Sequence, residues 1–220
     1  MEPVNSKSLK DLIKRKDELD WIIFTSPTTI VSLNKFYPDF LGSLNMTTYS
    51  LNNRSLLILN IEHNNLRELP DEILTKNLMI LNAGYNNIRK IPDNIINCNS
   101  LSTLRLDGNK IWYFPDNLNA LTQLKVLDLS NCELQWINPN ICSIASLETL
   151  YLNYNKIKII PNAIEGLKNI RQLYLDDNII SEFFWGLTLI SDTLRTLSLK
   201  NNSNLEFIKH GKSYNQYSWS

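Results

Sequence analysis

The sequence predicts an α/β solenoid: a curved parallel inner sheet whose strands return through irregular or short-helical segments, closed at its start by a partly helical cap. Two observations carry this. Equivalent apolar residues recur at Leu56, Leu78, Leu101, Leu124, Leu147, Ile170 and Leu194, and subtraction gives steps of 22, 23, 23, 23, 23 and 24. From each start the chain reads L-x-x-L-x-L-x-x-N-x-L, as in Leu101, Leu104, Leu106, Asn109 and Ile111. A fixed period of this length marks a stacked array, in which each unit buries its apolar face only against its neighbours.

Positions four and six of each unit alternate with exposed positions three and five, so one short strand per unit turns its leucines inward. The predicted strands lie near residues 58–60, 80–82, 103–105, 126–128, 149–151, 172–174 and 196–198. Position nine is polar and follows the strand. Asn64, Asn86, Asn109, Asn155, Asn178 and Asn202 are expected to form a buried ladder there, because a buried amide must bond backbone groups. The fourth unit has Cys132 instead, read as a ladder member that donates weakly; Cys98 and Cys142 fall at core positions. An apolar-Pro pair then ends each strand turn at Leu69-Pro70, Ile91-Pro92, Phe114-Pro115 and Ile160-Pro161, with Ile137-Asn138-Pro139 in the fourth unit and Phe183-Phe184 in the sixth. Proline holds its predecessor extended, which disfavours a long helix on the return path. Ile73, Ile95, Leu118 and Ile164 follow each Pro by three and are expected in the core.

Residues 1–55 do not carry the repeat. Leu33 lies 23 before Leu56, but Pro38 stands where an inward leucine belongs. Ser8 and Asp11 resemble a capping box, and Leu9, Leu12, Ile13, Leu19 and Ile23 form a partly helical stripe. This segment reads as an N-terminal cap, residues 56–208 as the solenoid of about seven repeats, and residues 209–220 as a C-terminal tail.

The pattern resembles the leucine-rich-repeat family over Leu56 to about Leu205. The 23-residue spacing with its apolar-Pro step is similar to the intracellular Ras-associated group, which includes the Ras-scaffold and Ras-suppressor proteins and the repeat region of fungal adenylate cyclase. The stretch TLRTLSLKNNSNLEFI resembles the last repeat of that cyclase region. The resemblance implies a protein partner, with a Ras-like small GTPase as one form of it.

Composition sets limits. Of 220 residues, 43% are hydrophobic and 20% charged, enough for a sizeable core. Lys+Arg 22 balance Asp+Glu 22, which argues against a broad basic surface for nucleic acid or anionic membrane while leaving room for a local patch. Three cysteines and a charged start without a signal-like apolar run fit a reducing, cytoplasmic setting. With two histidines and no H-E-x-x-H, C-x-x-C or G-x-S-x-G, no catalytic, cofactor or metal site is expected. Gly211-Lys212-Ser213 lacks the glycine five residues earlier that a phosphate loop needs, since that position is Glu206.

What remains is a surface. Positions five, seven and eight point away from the core, and they place Tyr85, Arg105, Asp107, Asp128, Tyr151, Asn153, Tyr154, Tyr174, Asp176 and Asp177 on the inner face as the expected protein-binding residues. The function expected is a non-catalytic, monomeric interaction module or scaffold in intracellular signalling, without nucleic acid or membrane insertion. The alternative is the repeat fragment of a larger enzyme such as fungal adenylate cyclase. A rival surface bears Trp112, Tyr113 and Trp136, for which partial burial against adjacent coils is expected.

Overall fold

A computed structural model describes residues 58–63, 66–69, 73–181, 187 and 190–202, together with the backbone of 30–32. Eight strands of three residues each form one open parallel sheet in simple sequence order. They are β1 (Ile30–Ser32), β2 (Ile58–Asn60), β3 (Ile80–Asn82), β4 (Thr103–Arg105), β5 (Val126–Asp128), β6 (Thr149–Tyr151), β7 (Gln172–Tyr174) and β8 (Thr196–Ser198). Strands β2 to β8 coincide with the seven predicted ones. The eighth strand, β1, comes from within residues 1–55; Ile30 pairs with Ile58, 28 residues on, so the N-terminal coil is longer than the repeat and the spacing from Leu33 misplaces it. The helical stripe predicted before it, Asn64, Pro70, Phe183-Phe184 and the tail lie outside the described residues.

Each strand buries its central leucine and the residue two further on. Leu104 and Leu106, Leu127 and Leu129, and Leu150 and Leu152 are all buried. The apolar residues before the Pro step, Ile91, Phe114, Ile137 and Ile160, close the same core from the far side, joined by Ile73, Ile95, Leu118 and Ile164. Cys98 and Cys142 are buried there too, as expected. The return paths are short 3₁₀ turns at Asp93–Asn97, Leu118–Ala120 and Asn162–Gly166. The fourth unit differs because its sequence does. With Asn138 before Pro139, the Asn138 Oδ1 accepts from the Asn140 N–H at 2.8 Å and Pro139 occupies the first turn of a four-residue α-helix, Pro139–Cys142. That turn brings the Cys142 carbonyl against Gly166, where an added Cβ would collide with backbone.

The asparagine ladder is built as predicted in the described coils. The Asn155 amide donates to the carbonyls of Leu129, Leu152 and Asn153 at 2.9, 2.9 and 3.2 Å, and its Oδ1 accepts from the Cys132 and Leu134 N–H groups. Asn86, Asn109, Asn178 and Asn202 repeat the arrangement, each bonding its own coil and the one before. Cys132 keeps the place with less: its thiol donates to the Leu106 carbonyl at 3.2 Å. Burial pushes that thiol up to about 12, so it stays protonated and able to donate.

Position eight has a conformation the sequence reading did not anticipate. His63, Tyr85, Gly108, Asn131, Tyr154, Asp177 and Asn201 all have positive φ, between 51 and 66°. The left-handed residue reverses the chain direction so that the following asparagine points inward. Glu133, next to Cys132, is also left-handed at 59°.

Two stability outcomes follow from this packing. Asn155→Leu leaves five backbone groups without their partner and should cost roughly 1–3 kcal/mol or more, whereas Cys132→Ala should cost less, about 1 kcal/mol; urea melts of both variants measure the difference. Gly166→Ala should cost roughly 1–3 kcal/mol by forcing the fourth and fifth return paths apart, read as a lowered melting temperature, while Ala145→Gly on the same side should have a smaller effect.

Candidate interaction surface

The strand register lines up position five as Asn60, Asn82, Arg105, Asp128, Tyr151, Tyr174 and Ser198 on neighbouring strands. Position seven adds a second row with Glu62, Gly84, Asp107, Ser130, Asn153 and Asp176, and the left-handed residues of position eight form a third at the sheet edge. All ten predicted surface residues therefore fall on these three rows.

The rows differ in character. Tyr151 and Tyr174, paired in register, stack with ring centroids 4.8 Å apart and planes 7° from parallel. Burial against this neighbour, with Tyr174 and Asp128 adding to it, raises the Tyr151 hydroxyl above its ordinary range, while Arg105 opposes the shift. Tyr154 stands at its turn with 63% of its surface exposed. A second stack, not foreseen, sets Tyr85 on His63 at 4.6 Å and 14°. The Tyr85 ring also covers Gly108, where a Cβ would come within 2.7 Å of it, so glycine at that turn admits the ring. The two aromatic pairs flank the charged centre of Arg105, Asp107 and Asp128.

The carboxylates divide into those that bond the next coil and those that bond within their own. Asp176 Oδ1 accepts from the Lys200 N–H at 2.7 Å and the Ser198 hydroxyl at 2.5 Å, and Asp177 accepts from the Asn201 amide at 2.8 Å. Asn153 accepts from the Asp176 N–H at 2.9 Å. These three of the predicted residues hold coils together as well as facing outward. Asp128 caps its own turn through the Ser130 N–H at 3.0 Å. Asp107 lies across Gly84, whose missing side chain leaves room for the carboxylate. The Asp107 carboxyl is raised to about 6, by burial first and by Asp128 and Glu62 besides, with its own backbone N–H and Arg105 opposing them. Two features of this surface were missed from the sequence: the His63–Tyr85 stack, and a row at position two in which Glu148 pairs with Lys125 at 3.1 Å and Arg171 at 3.7 Å.

The expectation for the rival surface is corrected. Trp112 and Trp136 are 68% and 59% exposed, not packed into neighbouring coils. Positions eleven and fourteen, such as Ile111 and Phe114, take the inward places, and positions twelve and thirteen between them point out. Among the described residues no group of three His, Cys, Asp or Glu could hold a metal ion, and no helix is long and apolar enough to cross a membrane.

The leucine rich repeat family profile matches residues 54–111 and 122–180, more than half of the chain. The chain belongs to the leucine-rich-repeat family. A solved leucine-rich-repeat protein of Leptospira interrogans is 31% identical with a TM-score of 0.62, covering 67% of this chain, which spans 38% of that protein. Internalin C2 of Listeria monocytogenes is 24% identical with a TM-score of 0.56 over 68% of this chain and 63% of its own, a likeness of fold. No curated protein matches the chain. As a leucine-rich-repeat protein it is an interaction module in the broad sense of that family.

The raised carboxyl of Asp107 makes a pH statement. A folded-state pKa above the unfolded one means the native state favours the protonated acid, so the deprotonated group costs stability once pH rises through the window from 3.8 to about 6. Asp107→Asn should therefore stabilise the protein at pH 7 by roughly 1 kcal/mol after discounting for solvent screening. The advantage should vanish below pH 4, as thermal melts of the two proteins across pH would show.

Proposed function

We propose that the leucine-rich-repeat solenoid is a non-catalytic module that binds a protein partner on its inner face, centred on the Tyr151–Tyr174 stack. The observation that carries this is the in-register row of Arg105, Asp128, Tyr151 and Tyr174, with Asp107 and Asn153 beside it and Tyr85 and Tyr154 at its edge. A rigid sheet presents these rings at small entropic cost, and Tyr and Arg are the residue types that dominate interface energetics. The acids surrounding them suit a partner with a basic patch. A Ras-like small GTPase is the partner implied by the sequence resemblance, and a scaffold role in cytoplasmic signalling follows from that reading.

Affinity capture from the source cell with the full chain as bait tests it. Tyr151→Ala and Tyr174→Ala should each weaken capture of the partner by about 2 kcal/mol of binding energy while leaving the fold intact. Capture that is unaffected by both tyrosine variants, yet lost on changing Trp112 and Trp136, would move the site off the inner face.

A further inference from the structure

Beyond the inner face, the flank where each coil leaves the sheet carries a different chemistry. Position thirteen of successive coils reads Lys90, Tyr113, Trp136 and Ile159, and position twelve places Trp112 beside Tyr113, with ring centroids 6.0 Å apart. All four apolar side chains of this patch are exposed, Trp112 and Trp136 most of all. Coils stack about 4.8 Å apart, so the four residues form one contiguous strip. Its backbone is fixed coil to coil: Trp112 N–H donates to Arg89 O at 2.9 Å, Lys110 N–H to Ile88 O at 3.0 Å and Lys156 N–H to Leu134 O at 2.7 Å.

Five cations border the strip: Arg89, Lys90, Lys110, Lys156 and Lys158, all exposed. Among the described residues two acids share these rows: Glu68, one coil before Lys90, and Glu133, 4.0 Å from the Lys110 amine and 3.6 Å from that of Lys156. Exposed pairs of that kind hold their partners weakly. The remaining nearby acids lie toward the convex side and are engaged, Asp93 by the Tyr113 hydroxyl at 2.8 Å and Asp116 by the Asn140 amide at 3.0 Å. The zero net charge of the chain thus conceals a local basic and aromatic patch.

We propose that this flank docks the protein on an anionic lipid surface, with Trp112 and Trp136 at headgroup depth and the bordering lysines and arginine over the lipid phosphates. Exposed tryptophan belongs at the membrane–water interface, where its ring is apolar and its N–H stays wet. Lys and Arg beside it gain from the negative surface potential of anionic lipid. The same residues fit a protein partner less well. Four of the five cations are Lys, which is depleted in protein interfaces, and hot-spot tryptophans sit in packed pockets, whereas these two protrude from a flank. Flexible lysines reach toward headgroups while their stems lie on apolar surface.

Flotation of the full chain with vesicles tests the proposal. At low salt the protein should float with vesicles of phosphatidylcholine plus phosphatidylserine, should not float with phosphatidylcholine alone, and should release as salt rises. The double change Trp112→Ser and Trp136→Ser should lower the partition coefficient about tenfold or more with an unchanged circular dichroism spectrum and melting temperature. Lys156→Glu with Lys158→Glu should act in the same direction, and Tyr151→Ala with Tyr174→Ala should leave flotation as it is, which separates this surface from the inner face. Failure to float with the anionic vesicles overturns the proposal, as does equal flotation of the tryptophan double variant. Loss of a soluble acidic protein from affinity capture by that variant, without vesicle binding by the parent chain, would assign the flank to a protein instead.

Discussion

The hydrogen bonding of a ladder of buried amides, with Cys132 in the place of one, underlies the rest of this structure. A three-residue strand is too short to stand alone, and each coil buries its leucines only if the chain turns sharply after the strand and comes back over them. That turn exposes inward-facing backbone groups with no sheet partner, and unpaired groups of this kind are costly to bury. Asn86, Asn109, Asn155, Asn178 and Asn202 meet them from the inside, each amide joining its own coil to the one before. The apolar core supplies the larger driving force, but it is non-directional. The ladder is what holds successive coils in the same phase, and through that phase the side chains of positions five, seven and eight fall into rows.

The left-handed residue before each ladder asparagine is the second half of the same device. It turns the chain so that position nine points in and position eight points out. Gly108, Asn131, Asp177 and Asn201 are residue types that tolerate this conformation, and as four of seven occupants of one position they were a signal for it in the sequence. Tyr85 and Tyr154 masked that signal, because a bulky residue is not expected at positive φ. The structure places their rings at the sheet edge, and Tyr85 recovers contact by stacking on His63 and covering Gly108. A backbone requirement of the turn therefore shares its position with two of the residues assigned to the binding face.

What was legible in the sequence is what the period constrains. Strands β2 to β8, the inward leucines, the ladder and the core cysteines each recur at a fixed place, so one coil predicts the next. The row of Arg105, Asp128, Tyr151 and Tyr174 was legible for the same reason, since register follows from phase. Strand β1 was not, because the coil that joins it to β2 departs from the 23-residue spacing and no internal copy reports on it. Trp112 and Trp136 were misjudged because positions twelve and thirteen are unconstrained by core or ladder. Large aromatic residues next to inward-facing ones invite a packed reading, yet Ile111, Phe114 and Ile137 already fill the space beneath them.

That freedom also explains how one neutral chain comes to carry opposed surfaces. In a solenoid, residues at a given position sit above one another whatever their separation in sequence, so a bias at one position becomes a stripe. Acids at positions five, seven and eight gather on the inner face as Asp107, Asp128, Asp176 and Asp177. Bases at positions ten, twelve and thirteen gather on the flank as Arg89, Lys90, Lys110, Lys156 and Lys158. The two stripes offset one another within a chain of Lys+Arg 22 and Asp+Glu 22, and so composition reports neutrality where the surface has polarity. A field of this kind orients an approaching charged partner before any contact forms. The Asp107 carboxyl, raised to about 6 with burial as the largest cause, then gives the acidic side a charge that changes as pH falls toward that value.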